Sequence, residues 1–118
     1  MSTSTIEERL FTKLDEAIDV RQLYLRPDLS RDDLCRLIGV GKNRIGAIIQ
    51  QYSGAPNSQV YINRKRIEYS KELIKQYPYY TVEAICVECG MSNPSTFYRL
   101  FKEFVGVTPV EYKNSQKK

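Results

Sequence analysis

Two stretches of the chain repeat each other. "SRDDLCRLIGV" at 30–40 and "TVEAICVECGM" at 81–91 align at an offset of 51, pairing Ser30 with Thr81, Leu34 with Ile85, Cys35 with Cys86, Ile38 with Cys89 and Gly39 with Gly90. The segments that follow align at an offset of 52, pairing Ile45 with Phe97, Ile49 with Phe101 and Gly54 with Gly106. Each half is a capped short helix, a glycine turn and a second helix, which is the order of a helix-turn-helix. At 118 residues with 42% hydrophobic content, the chain can bury a core for two such small units.

Helical periodicity accounts for the rest. Ile6, Leu10, Leu14, Ala17, Ile18 and Leu25 recur at three- and four-residue intervals and predict a packing helix over 5–25, with Glu7, Glu8, Lys13 and Asp15 on its wet face. Pro27 then pushes Arg26 out of the helical region, and Ser30 with Asp33 forms a variant of the capping box. Helices are expected over 31–38, ending at Gly39, and over 42–52, ending at Gly54. A long helix over 58–76 carries Val60, Ile67, Ile74 and Tyr77 on one stripe and the pairs Glu68/Lys71 and Glu72/Lys75 on the other side, and Pro78 stops it. Thr81 caps a helix over 82–89, another begins at Pro94 and ends before Gly106, and a last one starts after Thr108 with Pro109 in its first position. The expected fold is all-α with about seven helices. It divides into a lead-in over 1–29, a first helix-turn-helix unit over 30–56, a linker helix over 57–78, and a second unit with a C-terminal helix over 79–118.

The C-x-x-C spacing of Cys86 and Cys89 suits a metal site or a redox dithiol. A structural zinc site takes four ligands, and the chain has three cysteines and no histidine. A redox dithiol sits in a strand–helix–strand setting, and no strand-like alternation surrounds these residues. The repeat offers a third reading: Cys35 and Cys86 are the small residues at each helix crossing, and Cys89 matches the buried Ile38. On that reading the cysteines pack, and no metal or cofactor is expected. No pair of carboxylates is flanked by apolar residues that would separate their pKa values, so catalysis is not expected either.

Charge is distributed unevenly. Residues 1–41 carry six basic and eight acidic side chains, whereas residues 42–118 carry twelve and six. The second stretch would attract a polyanion. No apolar run approaches the roughly 20 residues that span a bilayer, and "MSTSTIEERLF" lacks the basic and apolar regions of a signal peptide, so a cytoplasmic protein without membrane contact is expected.

"STFYRLFKEFVGVTPVEYK", from Ser95 to Lys113, carries Phe97, Phe101, Lys102 and then Gly106, Val107, Thr108, Pro109, Glu111 and Tyr112 in a spacing that resembles the C-terminal signature of the arabinose-regulator (AraC/XylS) family of bacterial transcription factors. The resemblance extends over roughly 30–113 and includes "INRKRIEYSKELI", where Arg66 and Ser70 stand at the family's usual Arg and Ala positions. It implies double-stranded DNA as the partner, two helix-turn-helix units joined by a long helix, and the third and sixth helices in adjacent major grooves. It also implies a separate sensing domain and RNA polymerase as partners of a larger regulator, of which this chain would be the output segment. Three departures stand out: Met91 replaces the usual Phe, the loop "GAPNSQVY" is one residue longer than typical, and Gly46 and Ala47 occupy places where family members often carry larger base-reading side chains. Gly46 and Ala47 imply a less stringent first unit.

The residues support an interface without that resemblance. A helix in the major groove packs one face and reads bases with the other, near its N-terminus. Over 94–105, Phe97, Leu100, Phe101 and Phe104 form the packing face, which leaves Ser95, Thr96, Tyr98, Arg99 and Lys102 outside, with Asn93 as N-cap and phosphate neighbour. Over 42–52, Ile45, Ile48 and Ile49 pack, which leaves Lys42, Asn43, Arg44, Gly46, Ala47 and Gln50 outside. Arg99 is the candidate for bidentate pairing with guanine, and Arg66, mid-helix, is a candidate for pairing with a carboxylate. The same basic surface also suits a helical protein-interaction module with an acidic partner, and sequence preference among DNA duplexes separates the two.

Overall fold

The computed structural model describes residues 5–116; the first four residues, and Lys117 and Lys118, two of the cations counted above, lie outside them. Among the described residues there are seven α-helices and no strand: α1 Ile6–Val20, α2 Arg31–Ile38, α3 Lys42–Ser53, α4 Ser58–Gln76, α5 Val82–Glu88, α6 Pro94–Val105 and α7 Pro109–Ser115. The expected all-α fold is the one observed. The chain divides into two compact units, Met1–Ile62 and Asn63–Lys118, and α4 runs through the division.

In the first unit α1 packs on α2 and α3, and α2 packs on α3. Leu14, Ile18, Leu34, Ile45 and Ile49 are fully enclosed there. The predicted helix over 5–25 is shorter than its periodicity suggests. It stops at Val20, because Gln22 takes the left-handed conformation at φ 50°, and Leu23–Leu25 forms one turn of 3-10 helix. That turn swings Tyr24 inward to burial, while Ile6, expected on the apolar stripe, is 71% exposed. Tyr61 on α4 donates its hydroxyl to Asp15 Oδ1 at 2.5 Å, tying α4 to α1. Burial, and then the Asp15 carboxylate, push the Tyr61 phenol well above its ordinary value.

In the second unit α6 packs on α5 and α7. Its core joins Ile67, Leu73 and Ile74 of α4 to Ile85, Cys86, Cys89, Met91, Phe97, Leu100 and Phe101. Phe101 lies 5.8 Å from Phe97 and 5.6 Å from Tyr112, ring centroid to centroid, in tilted and edge-on geometries that aromatic pairs favour. The α4 stripe differs from the one read by spacing: Ile67 and Ile74 are buried, but Val60 and Tyr77 are only half-buried, and Tyr61, Ile62 and Leu73 are enclosed instead. Arg66 is enclosed as well, at 4% exposure; it donates to Asn63 Oδ1 at 3.0 Å, and burial lowers its pKa.

The repeat is visible in the backbone. Val40 N–H donates to Cys35 C=O at 3.1 Å, and Met91 N–H to Cys86 C=O at 3.0 Å, closing the same turn at the same register. Gly39 and Gly90 allow it, at φ 69° and 91°. Nothing lies within 4 Å of where a Cβ on Gly39 would stand, so backbone conformation and not space demands glycine there.

Candidate nucleic-acid interface

The outer faces of α3 and α6 start from differently built N-termini. Asn93 caps α6, accepting from Thr96 N–H at 3.2 Å, and Pro94 fills the first helical position. Gly41 precedes α3 and provides no side-chain cap. With Ile45, Ile48 and Ile49 buried, the α3 residues Lys42, Asn43, Arg44, Ala47 and Gln50 are exposed and Gly46 is half-buried. On α6, Phe97, Leu100 and Phe101 face the core. Asn93, Ser95, Arg99 and Lys102 are exposed, and Thr96 and Tyr98 are half-buried.

Several of these side chains are held. Arg99 Nη1 lies 3.3 Å from Glu103 Oε1, one helical turn on. Arg44 Nε is 3.7 Å from Glu7 of α1, and Lys42 Nζ is 3.7 Å from Asp32 of α2. All three pairs are exposed or nearly so and are therefore weak, which leaves the cations able to change partner. Gln50 is more firmly placed: its Nε2 donates to Pro56 C=O at 2.8 Å and fastens the loop that leads into α4.

That loop borders a cavity of about 370 Å³ in the first unit, lined by Arg31, Lys42, Gly46, Pro56, Ser58 and their neighbours. Arg31, Pro56 and Ser58 were not among the residues expected from the sequence. The available signal was a cation at the first position of both α2 and α3, where the helix dipole disfavours positive charge.

The cysteines pack. Cys86 and Cys89 are buried, and their thiols donate to backbone carbonyls, Cys86 Sγ to Met91 at 3.5 Å and Cys89 Sγ to Cys86 at 3.3 Å. Burial, and then Glu83, raise the Cys86 thiol, and burial pushes Cys89 up to about 12. Such thiols stay protonated near neutrality, the opposite of what a nucleophile needs. Cys35 is only half-buried, as is Val40 after the first turn, whereas Met91 after the second is enclosed.

A family model described as a helix-turn-helix domain matches residues 34–115. A helix-turn-helix-type transcriptional regulator of Staphylococcus aureus (strain MSSA476) is 28% identical over 104 residues, covering 88% of this chain and 14% of that protein. YijO of Escherichia coli (strain K12), another regulator of this type, is 26% identical over 113 residues, covering 96% and 38%. The chain thus spans well under half the length of these curated relatives. Among solved structures, an AraC-type DNA-binding-domain regulator from Chromobacterium violaceum superposes with a TM-score of 0.77 at 23% identity, covering 92% of this chain and 95% of that one. The C-terminal domain of the response regulator AraT from Geobacillus stearothermophilus gives 0.74 at 19% identity, covering 98% and 88%. At these identities the structural likeness speaks for the fold.

Proposed function

The chain belongs to the AraC-type helix-turn-helix family, and on that premise we propose that it binds double-stranded DNA sequence-specifically as the output segment of a transcription regulator. α3 and α6 enter adjacent major grooves. Lys42, Asn43, Arg44, Gly46, Ala47 and Gln50 face one, and Asn93, Ser95, Thr96, Tyr98, Arg99 and Lys102 face the other. The observation that carries this reading is the repetition of one arrangement: in each unit the packing face of the second helix is wholly apolar, and the opposite face presents the donors. Half or more of such donors serve phosphates, and the remainder read bases. On α6, Arg99 is the base reader, with the fork geometry that matches guanine. A sensing domain and RNA polymerase are the partners of the whole regulator, which on this reading works in the cytoplasm.

Selection of binding sites from random duplexes tests the proposal. One enriched site, with stronger base preference under α6 than under α3, is the expected result; equal enrichment of all sequences would refute sequence-specific binding and favour the acidic-protein partner. Affinity for the selected site should also fall steeply with salt, following the positive balance of residues 42–118. Lys102→Ala should shallow the log–log slope by about 0.9, the value for one phosphate contact.

A further inference from the structure

Three helix N-termini of the first unit line one cavity. Arg31 is the first residue of α2, Lys42 the first of α3 and Ser58 the first of α4, and all three border the space of about 370 Å³ beside the outer face of α3. Each N-terminus brings a positive partial charge, which on α2 the first-turn acids Asp32 and Asp33 offset and on α4 the Asn57 side chain meets in part, accepting from Val60 N–H at 2.9 Å. Neither α3 nor α4 has an acidic residue in its first turn to offset that charge. Adding cations there opposes helix stability, so an anion is what the arrangement suits.

Ser58 points to the same ligand independently. It is 6% exposed, it lines the cavity, and its Oγ has no hydrogen-bond partner among the described residues. A buried hydroxyl without a partner is rare and costly, and an anionic oxygen would satisfy it. Arg31 makes no ion pair or side-chain hydrogen bond with another described residue. Of the two acids in the first turn of α2, Asp33 is held by Arg36, and the pair that Asp32 makes with Lys42 at 3.7 Å is more than half exposed on both sides and readily exchanged. Gln50 holds the Pro56 wall in place, and Gly46 keeps the α3 side open, with no heavy atom within 4 Å of where its Cβ would stand.

We propose that this cavity binds a phosphate group, supplied in the working protein by the DNA backbone beside the groove that α3 enters. The assignment deepens the DNA-binding reading and rests on it for the source of the phosphate. Ser58 Oγ–H and the first amides of α4 donate to the phosphate oxygens, while Arg31 and Lys42 neutralise the charge. Bound there, the phosphate anchors the recognition helix that has the smaller side chains.

The test uses the full chain and the selected duplex. Ser58→Ala should weaken binding about tenfold, the usual worth of one hydrogen bond to a charged group, with an unchanged salt slope because the hydroxyl is neutral. Arg31→Ala should weaken binding and shallow the slope by about 0.9. Placing a neutral methylphosphonate at successive backbone positions should find one phosphate whose neutralisation weakens the parent but has little further effect on the Ser58→Ala, Arg31→Ala double variant. Circular dichroism checks the fold, and Arg31→Gln replaces Arg31→Ala if the latter does not fold. Variants that bind duplex as tightly as the parent would overturn the site while leaving the DNA reading intact. Inorganic phosphate supplies an arm independent of DNA: the Ser58 and Lys42 amide resonances should shift on its addition and be competed by duplex. A shift without duplex competition would assign the cavity to a free phosphate and overturn the backbone source; no shift and no methylphosphonate-sensitive position would overturn the phosphate site altogether.

Discussion

α3 and α6 are the same helix built twice with different materials. Their entry bonds coincide: Ile45 N–H donates to Gly41 C=O and Phe97 N–H to Asn93 C=O, both at 3.0 Å. Their exits coincide as well, at Gly54 and Gly106, both in the left-handed region. What differs is everything the backbone does not require. The α3 core face is aliphatic and the α6 face is aromatic; α3 starts uncapped at Gly41 and α6 from the Asn93 cap; α3 presents Gly46 and Ala47 outward where α6 presents Tyr98 and Arg99. Charge divides the same way. Residues 1–62 hold eight basic and eight acidic side chains, while residues 63–118 hold ten and six. A repeated scaffold therefore leaves the outer face free to diverge, and α6 carries the longer hydrogen-bonding side chains at the positions where α3 has Gly46 and Ala47.

The largest expected effect breaks the aromatic side of this comparison. Phe97→Ala should lower unfolding free energy by about 3 to 5 kcal/mol, since Phe97 is wholly enclosed, whereas Ile45→Val at the matching position should cost about 0.5 to 1.5 kcal/mol. Denaturant titration of both variants measures the contrast, and a small loss for Phe97→Ala would mean that the second core relaxes into the space.

Next is the reading face. Arg99→Ala should cost about 1 to 3 kcal/mol at the selected site and relax preference at one or two base pairs, with non-specific binding largely kept. Equal weakening on every duplex would make Arg99 a phosphate contact and narrow the difference between the two helices.

The caps come third. Asn93→Ala should destabilise by about 1 kcal/mol, whereas Gly41→Asn should gain only a few tenths, because glycine is itself a tolerable cap. Thermal melts of the two variants give the comparison directly, and equal and opposite shifts would show that α3 depends on its cap as α6 does.

The smallest effect is in acid. The Ser30 backbone N–H, then Arg36, hold the Asp33 carboxyl below its ordinary range, and the Thr108 backbone N–H and hydroxyl do the same for Glu111. A depressed carboxylate contributes stability that is complete above its unfolded-state value and disappears as pH falls through the folded one. Stability should therefore decline as pH drops below the ordinary carboxylate range. Asp33→Asn and Glu111→Gln should each flatten that decline in unfolding measured against pH, and an unaltered acid limb in both would remove the caps from the account.

Helix order, turn glycines and caps were legible because they rest on neighbours along the chain: Ser30, Thr81 and Thr108 start helices, and Gly39 and Gly90 turn the backbone, wherever the rest of the molecule lies. The outward set on α3 and α6 was legible for a related reason, since a 3.6-residue period separates a packed face from a wet one. The α1 terminus was not. Leu25 continues the spacing of Leu14 and Ile18, but the left-handed Gln22 interrupts the helix and Tyr24 is the residue that is buried.

By itself the sequence determined an all-α chain of two like units, with the packed and outer faces of α3 and α6, because near-neighbour backbone preferences and apolar spacing are local quantities. Tertiary structure alone decided that Arg66 lies buried against Asn63, that Gln50 fastens the Pro56 loop, and that Arg31, Lys42 and Ser58 border one cavity although 27 positions separate the first from the last. Those juxtapositions arise where helices distant in sequence pack together, and no residue's own spacing encodes where another helix will begin in space.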